Sequence, residues 1–184
     1  ENKFNVYGIY PPFVCQPAQK FIKIERLGID YDGKYIFSAK IMYGFERFLN
    51  ICKIRNHEVF IVSHKTEFGH FDKSKIPLRK VAIEFLKIND IFNKKLFNLK
   101  KKNIFFAKTR NEKIKIINGL NLDYFIDDLL VVLKSKLFKN NIKKILINKN
   151  EKKNNINNKI VFKNSWAEIT SYVFKKINQS ELEY

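Results

Sequence analysis

Apolar residues along the chain alternate between two rhythms. In "YGFERFLNICKI", Phe45, Phe48, Leu49 and Cys52 recur at i, i+3, i+4 and i+7, which lines one face of a helix. "EVFIV" (58–62) is short, apolar and β-branched, as a buried strand should be. "PLRKVAIEFLKIN" is helical again, with Leu78, Val81, Ala82, Phe85 and Leu86 on one face. Pro77 suits its first turn, where a missing N–H leaves nothing unsatisfied. "NIFFA" (103–107) reads as a strand. A helix then starts at Arg110, with Thr109 and Glu112 forming a T-x-x-E capping box and Gly119 placed to end it. "DYFI" (123–126), "KKILIN" (143–148) and "IVF" (160–162) supply three more strands, with a short helix over 128–134. Ser165 and Glu168 in "SWAE" make a second capping box. It opens a last helix with Trp166, Ile169, Val173 and Ile177 turned inward.

This alternation predicts the α/β class: a three-layer α/β/α, Rossmann-like sandwich with a mainly parallel sheet. Two stretches stand outside it. Residues 1–20 include "YPPFVCQPAQ", with three of the four prolines, and read as loop or edge structure. "KNEKKNNINNK" (149–159) is polar and of low complexity, a surface loop or insertion. The expected organisation is an irregular segment over 1–27 and one core domain over 28–184. The chain opens on Glu1, which fits a processed protein or a piece of a longer product.

Composition narrows the classes. A chain of 184 residues with 45 % hydrophobic content, 18 Phe and 8 Tyr can bury a substantial core. No apolar run approaches the ~18 residues of a membrane span. Cys15 and Cys52 make neither a disulfide framework nor a metal site, and Cys52 sits on an apolar stripe. That usage fits a reducing cytoplasm. The net charge of +18 would attract anionic partners. Yet only five of the 36 basic residues are Arg, the lysines are scattered, and Asn and Ile abound. An A/T-rich coding background explains this better than a nucleic-acid surface does.

In parallel α/β sheets, ligands bind beyond the carboxyl ends of the strands. Three such ends carry chemistry here. "FIVSHKT" leads into Ser63, "TRNEKIKII" sets Lys113 in the first turn of a capped helix, and "YFIDDL" ends in Asp127 and Asp128. A hydroxyl, an ammonium and paired carboxylates suit a phosphoryl group and Mg²⁺, a hard cation that prefers oxygen ligands. His64 either shapes contacts to a leaving group or stabilises the turn. His57 and His70 have no companions at metal-ligand spacing and read as surface residues.

Over residues 40–170 the order and spacing of "FIVSH", Lys113 and "YFIDDL" resemble the haloacid dehalogenase-like (HAD) phosphohydrolase superfamily. The late "SWAEI" is similar to an element of an uncharacterised bacterial branch. The resemblance implies a Mg²⁺-dependent phosphatase acting on a small phosphorylated metabolite through an aspartyl-phosphate. Ser63 and Lys113 would hold the phosphoryl group, with Asp127 and Asp128 on the metal. His64 would be a substrate contact. The nucleophile is the open point. "DYDGK", with Asp30 and Asp32, looks like the superfamily's D-x-D-G signature. However, Lys23, Glu25 and Arg26 interrupt the strand that should precede it, and Lys34 stands where Thr or Val is usual. "GKYIFSAKIMYGFERFL" instead resembles the branch's linker from cap to core, with Gly33, Ala39, Lys40 and Gly44 in register. On that alignment residues 1–27 are the tail of a cap and the first motif lies upstream of Glu1. Two alternatives to an active phosphatase remain: a basic α/β module that binds nucleic acid, and an inactive HAD-like structural protein.

Overall fold

The computed structural model describes residues 3–6 (backbone only), 41–68, 75–139, 141–147 and 159–174. Asp30, Asp32, Cys15, His70, Ile177 and nearly all of the 149–159 run lie outside the described residues, as does most of the segment over 1–27.

The chain is α/β. Among the described residues six strands form one sheet: β1 (Lys3–Val6), β2 (Glu58–His64), β3 (Ile104–Ala107), β4 (Tyr124–Asp127), β5 (Lys143–Ile147) and β6 (Ile160–Lys163). Their order is β3-β2-β1-β4-β5-β6, and every pairing among them is parallel. The helices are α1 (Phe45–Ile54), α2 (Leu78–Ile88), α3 (Arg110–Gly119), α4 (Leu130–Leu133) and α5 (Trp166–Phe174).

Strand alternation sorts the core. Val59 and Ile61 of β2, Ile126 of β4, and Ile145 and Ile147 of β5 join one apolar cluster with α1, α2 and α5. Their neighbours Phe60, Val62, Phe125 and Leu146 join a second cluster with Ile114 and Ile117 of α3 and Val132 and Leu133 of α4. Successive side chains point to opposite faces, so a strand feeding both clusters must be apolar throughout. β2 is: Val59 through Ser63 are all buried. Trp166 anchors the first cluster, its ring 4.9 Å from Phe45 and 5.2 Å from Phe48. Burying an aromatic side chain of this size is worth ~2–3 kcal/mol. Cys52 is buried there too, as its stripe predicts.

The helix signals hold, with two refinements. Thr109 accepts from the Glu112 backbone N–H at 3.1 Å, but Glu112 reaches back to the N–H of Lys108 rather than to that of Thr109. Ser165, Glu168 and Asn164 repeat that pattern at α5. Gly119 does not supply the left-handed stop of α3; the chain turns at Asn121, with φ of 49°. A left-handed glycine does occur at Gly44, which precedes α1 with φ of 86°. A Cβ there would sit 3.2 Å from that of Trp166, so Gly44 lets α1 start hard against α5.

Two expectations fail. Lys3–Val6, in the stretch expected to be loop or edge, is an interior strand paired with both β2 and β4. "KFNV" alternates polar and apolar residues, but over only four positions, too few to mark a strand beside the proline-rich stretch that follows. His57 is not a surface residue. It is half-buried and stacked 5.8 Å from Phe174. Among the described residues no helix is long and apolar enough to cross a membrane.

Candidate functional site

Register places the candidate residues at one rim. Asn5 pairs with Phe60 on one side and Phe125 on the other, so these two residues share a level across β1. Ser63 lies three residues beyond that level and Asp127 two, which differ in height by one residue, ~3.3 Å. Two inter-strand spacings of ~4.8 Å separate β2 from β4. Ser63 and Asp127 therefore flank the carboxyl end of β1 at roughly 10 Å across the sheet. They take opposite sides of it. Ser63 follows the alternation of Val59 and Ile61, whereas Asp127 follows that of Phe125.

The structure joins Lys113 to Asp127. The first turn of α3 is aimed by its Thr109 cap, and Lys113 Nζ lies 2.7 Å from Asp127 Oδ2, with both side chains at 0 % exposure. Lys113 also lies over the Phe125 ring, 5.4 Å from its centroid. The Leu129 backbone N–H donates to Asp127 Oδ1 at 2.8 Å, so both carboxylate oxygens carry a hydrogen bond. Burial pushes the Lys113 ammonium down to about 8, against the pull of Asp127. Burial, and then the Asp127 charge, push the neighbouring Asp128 carboxyl up to about 8. Burial thus works against the charged form of both Lys113 and Asp128.

Two polar atoms here have no hydrogen-bond partner among the described residues: Ser63 Oγ and Asp128 Oδ1, both buried. Leaving such atoms unpaired costs ~1–3 kcal/mol each, which a bound polar group could recover. Ser63 Oγ makes no hydrogen bond to Lys113 or Asp127. His64 is exposed and its Nε2 donates to the Lys108 carbonyl at 2.9 Å, the turn-stabilising role, which ties β2 to the start of α3.

Arg79 escapes a reading of the sequence alone. "PLRK" at a helix start looks solvated, yet its guanidinium Nη2 is buried without a hydrogen-bond partner among the described residues. Only the tertiary packing of α2 reveals it. Among the described residues no cluster of three or more His, Cys, Asp or Glu converges as a metal centre. Asp127 and Asp128 are adjacent carboxylates at the rim. No protein-family model matches the chain, and no curated protein is significantly similar to it.

Proposed function

We propose that this chain is the phosphoryl-binding core of a HAD-like phosphohydrolase. In this reading it is a three-layer α/β/α domain that holds a small phosphorylated metabolite and Mg²⁺ at the carboxyl rim of its sheet. The observation that carries it is the fully buried Lys113–Asp127 pair, set at the same rim as two unpartnered polar atoms, Ser63 Oγ and Asp128 Oδ1. The two apolar clusters, fed by alternate residues of the same strands, support the layering.

Ser63 donates its hydroxyl to a phosphoryl oxygen, and Lys113 offsets the developing negative charge. Mg²⁺ needs only one or two carboxylates besides water and phosphate oxygens, and the orphaned Oδ1 of Asp128 next to Asp127 fits that donor set. Such an ion supplies charge neutralisation at the transferring group. Turnover also needs a carboxylate that attacks phosphorus as the ester oxygen leaves with a proton. The residues after β1 are Tyr7, Gly8 and Ile9, and the first acidic residue beyond Val6 is Glu25. Asp30 and Asp32 are therefore this chain's own candidates for nucleophile and acid/base. The same run of sequence favours a second reading, a HAD-like domain that binds phosphoryl groups without turning them over.

The test pairs Mg²⁺-dependent orthophosphate binding, followed by ³¹P NMR, with hydrolysis of an aryl phosphate. Binding lost in Ser63→Ala and Asp127→Asn, with turnover lost in Asp30→Asn, is the expected result. Binding without turnover selects the silent domain. No phosphate binding in the presence of Mg²⁺ refutes both readings.

A further inference from the structure

Arg79 stands in the first turn of α2, on the face of the sheet to which Ser63 turns. Its Nε donates to the Lys65 carbonyl at 3.0 Å, just beyond the end of β2. Its Cζ lies 5.9 Å from the centroid of the Phe106 ring, and Phe106 is the residue paired with Ser63 across β2 and β3. A guanidinium is thus clamped at one edge and stacked on one face, while its Nη2 is buried and donates to none of the described residues. No described carboxylate pairs with it. Guanidinium presents a rigid planar fork that matches oxyanions, and fixing it in advance removes most of the ordering cost of binding. The clamp is two residues of extended chain from Ser63, roughly 7 Å.

We propose that Arg79 is a specificity-determining residue that binds a second oxyanion, carboxylate or phosphate, on the small molecule whose phosphoryl group meets Ser63. The substrate class is then a phosphorylated compound with another anionic group a few bonds away, rather than a neutral phosphoester. The inference rests on the phosphoryl-binding reading above.

Calorimetry with non-hydrolysable probes and Mg²⁺ separates the two. Butylphosphonate presents the phosphoryl mimic alone, 4-phosphonobutyrate adds a carboxylate, and propane-1,3-diphosphonate adds a second phosphonate. At least one dianionic probe should bind wild type about tenfold more tightly than butylphosphonate, the size of one charge-assisted contact. Which probe gains identifies the second group. Arg79→Gln should erase that gain and leave butylphosphonate affinity unchanged. Arg79→Lys keeps the charge without the fork, and should retain less than half of the gain. It also carries the test should circular dichroism show Arg79→Gln misfolded. If neither dianion gains in wild type, or the gain survives in Arg79→Gln or in full in Arg79→Lys, the Arg79 role is wrong while phosphoryl binding stands. If butylphosphonate itself fails to bind, both fall.

Discussion

Neutralising Asp127 should destabilise the protein far more than removing a surface charge would. Asp127→Asn keeps an acceptor for the Leu129 N–H but leaves the Lys113 ammonium in a fully buried place without its counter-ion. At 2.7 Å and an effective dielectric of about 20, the pair attracts by about 6 kcal/mol, part of which offsets the desolvation of both ions. Removing one partner of such a pair costs about 3–5 kcal/mol. Asp128, relieved of its neighbour's charge, recovers some of this, so about 3 kcal/mol is expected near pH 7. Lys113→Met should cost a similar amount. The double variant should be at least ~2 kcal/mol less damaging than the two singles summed, because it leaves neither ion stranded.

Urea denaturation at constant m gives all three values, and pH adds a check of sign. Lys113 has an ordinary value of 10.5 and is pushed down to about 8 in the fold. The folded state binds fewer protons than the unfolded state between those values, so this group's contribution to stability rises with pH across that window. In Asp127→Asn the window opens lower, since the main acidic influence on Lys113 is gone. The deficit should therefore shrink as pH rises towards 8 and stay level above it. Single variants that cost less than ~1 kcal/mol and add within ~0.5 kcal/mol would mean that the pair is solvated and the site open.

Gly44→Ala should cost about 1–3 kcal/mol, because it forces a side chain into the left-handed region and against Trp166; a midpoint unchanged in urea would show that α1 and α5 can shift apart. Thr109→Ala should cost ~1 kcal/mol through the lost cap of α3, and should also weaken phosphate binding by loosening Lys113; wild-type behaviour in both assays would show that the cap does not position the lysine. Burial pushes the Cys52 thiol well above its ordinary range, so it should resist a thiol reagent in the native state and react after denaturation. Peptide-resolved mass spectrometry would show this, and native labelling would overturn the burial argument.

The sequence spoke most clearly where one strand carries one kind of environment. "EVFIV" and "KKILIN" feed both clusters and so carry unbroken apolar runs, Val59–Val62 and Ile145–Ile147, with β2 and β5 close to their expected bounds. "KFNV" did not read as a strand, because four residues hold too little pattern and a proline-rich stretch follows. α3 ends at Gly119, as its sequence suggests, but the left-handed turn that follows falls at Asn121, a residue type that also takes that conformation. At the rim, Ser63, Lys113 and Asp127 were legible as strand-end and helix-start chemistry. The ion pair was not, since 14 residues separate its members and only the docking of α3 brings them together. Arg79 is the extreme case, because its character comes entirely from the Lys65 carbonyl and the Phe106 ring.

The placement of β1 bears on how the molecule assembles. Lys3 must find Glu58, and Phe4 must find Tyr124, before the six strands become one sheet. Until then β2 with β3, and β4 with β5 and β6, can each form from neighbouring stretches of chain, but no hydrogen-bonded ladder joins the two halves. Pairings between distant segments are slow because loop-closure entropy precedes any contact energy. Refolding should therefore show two early nuclei and a late merger. During synthesis on the ribosome, the candidate site cannot take shape until β4 has emerged and β1, made long before, is drawn in between the halves.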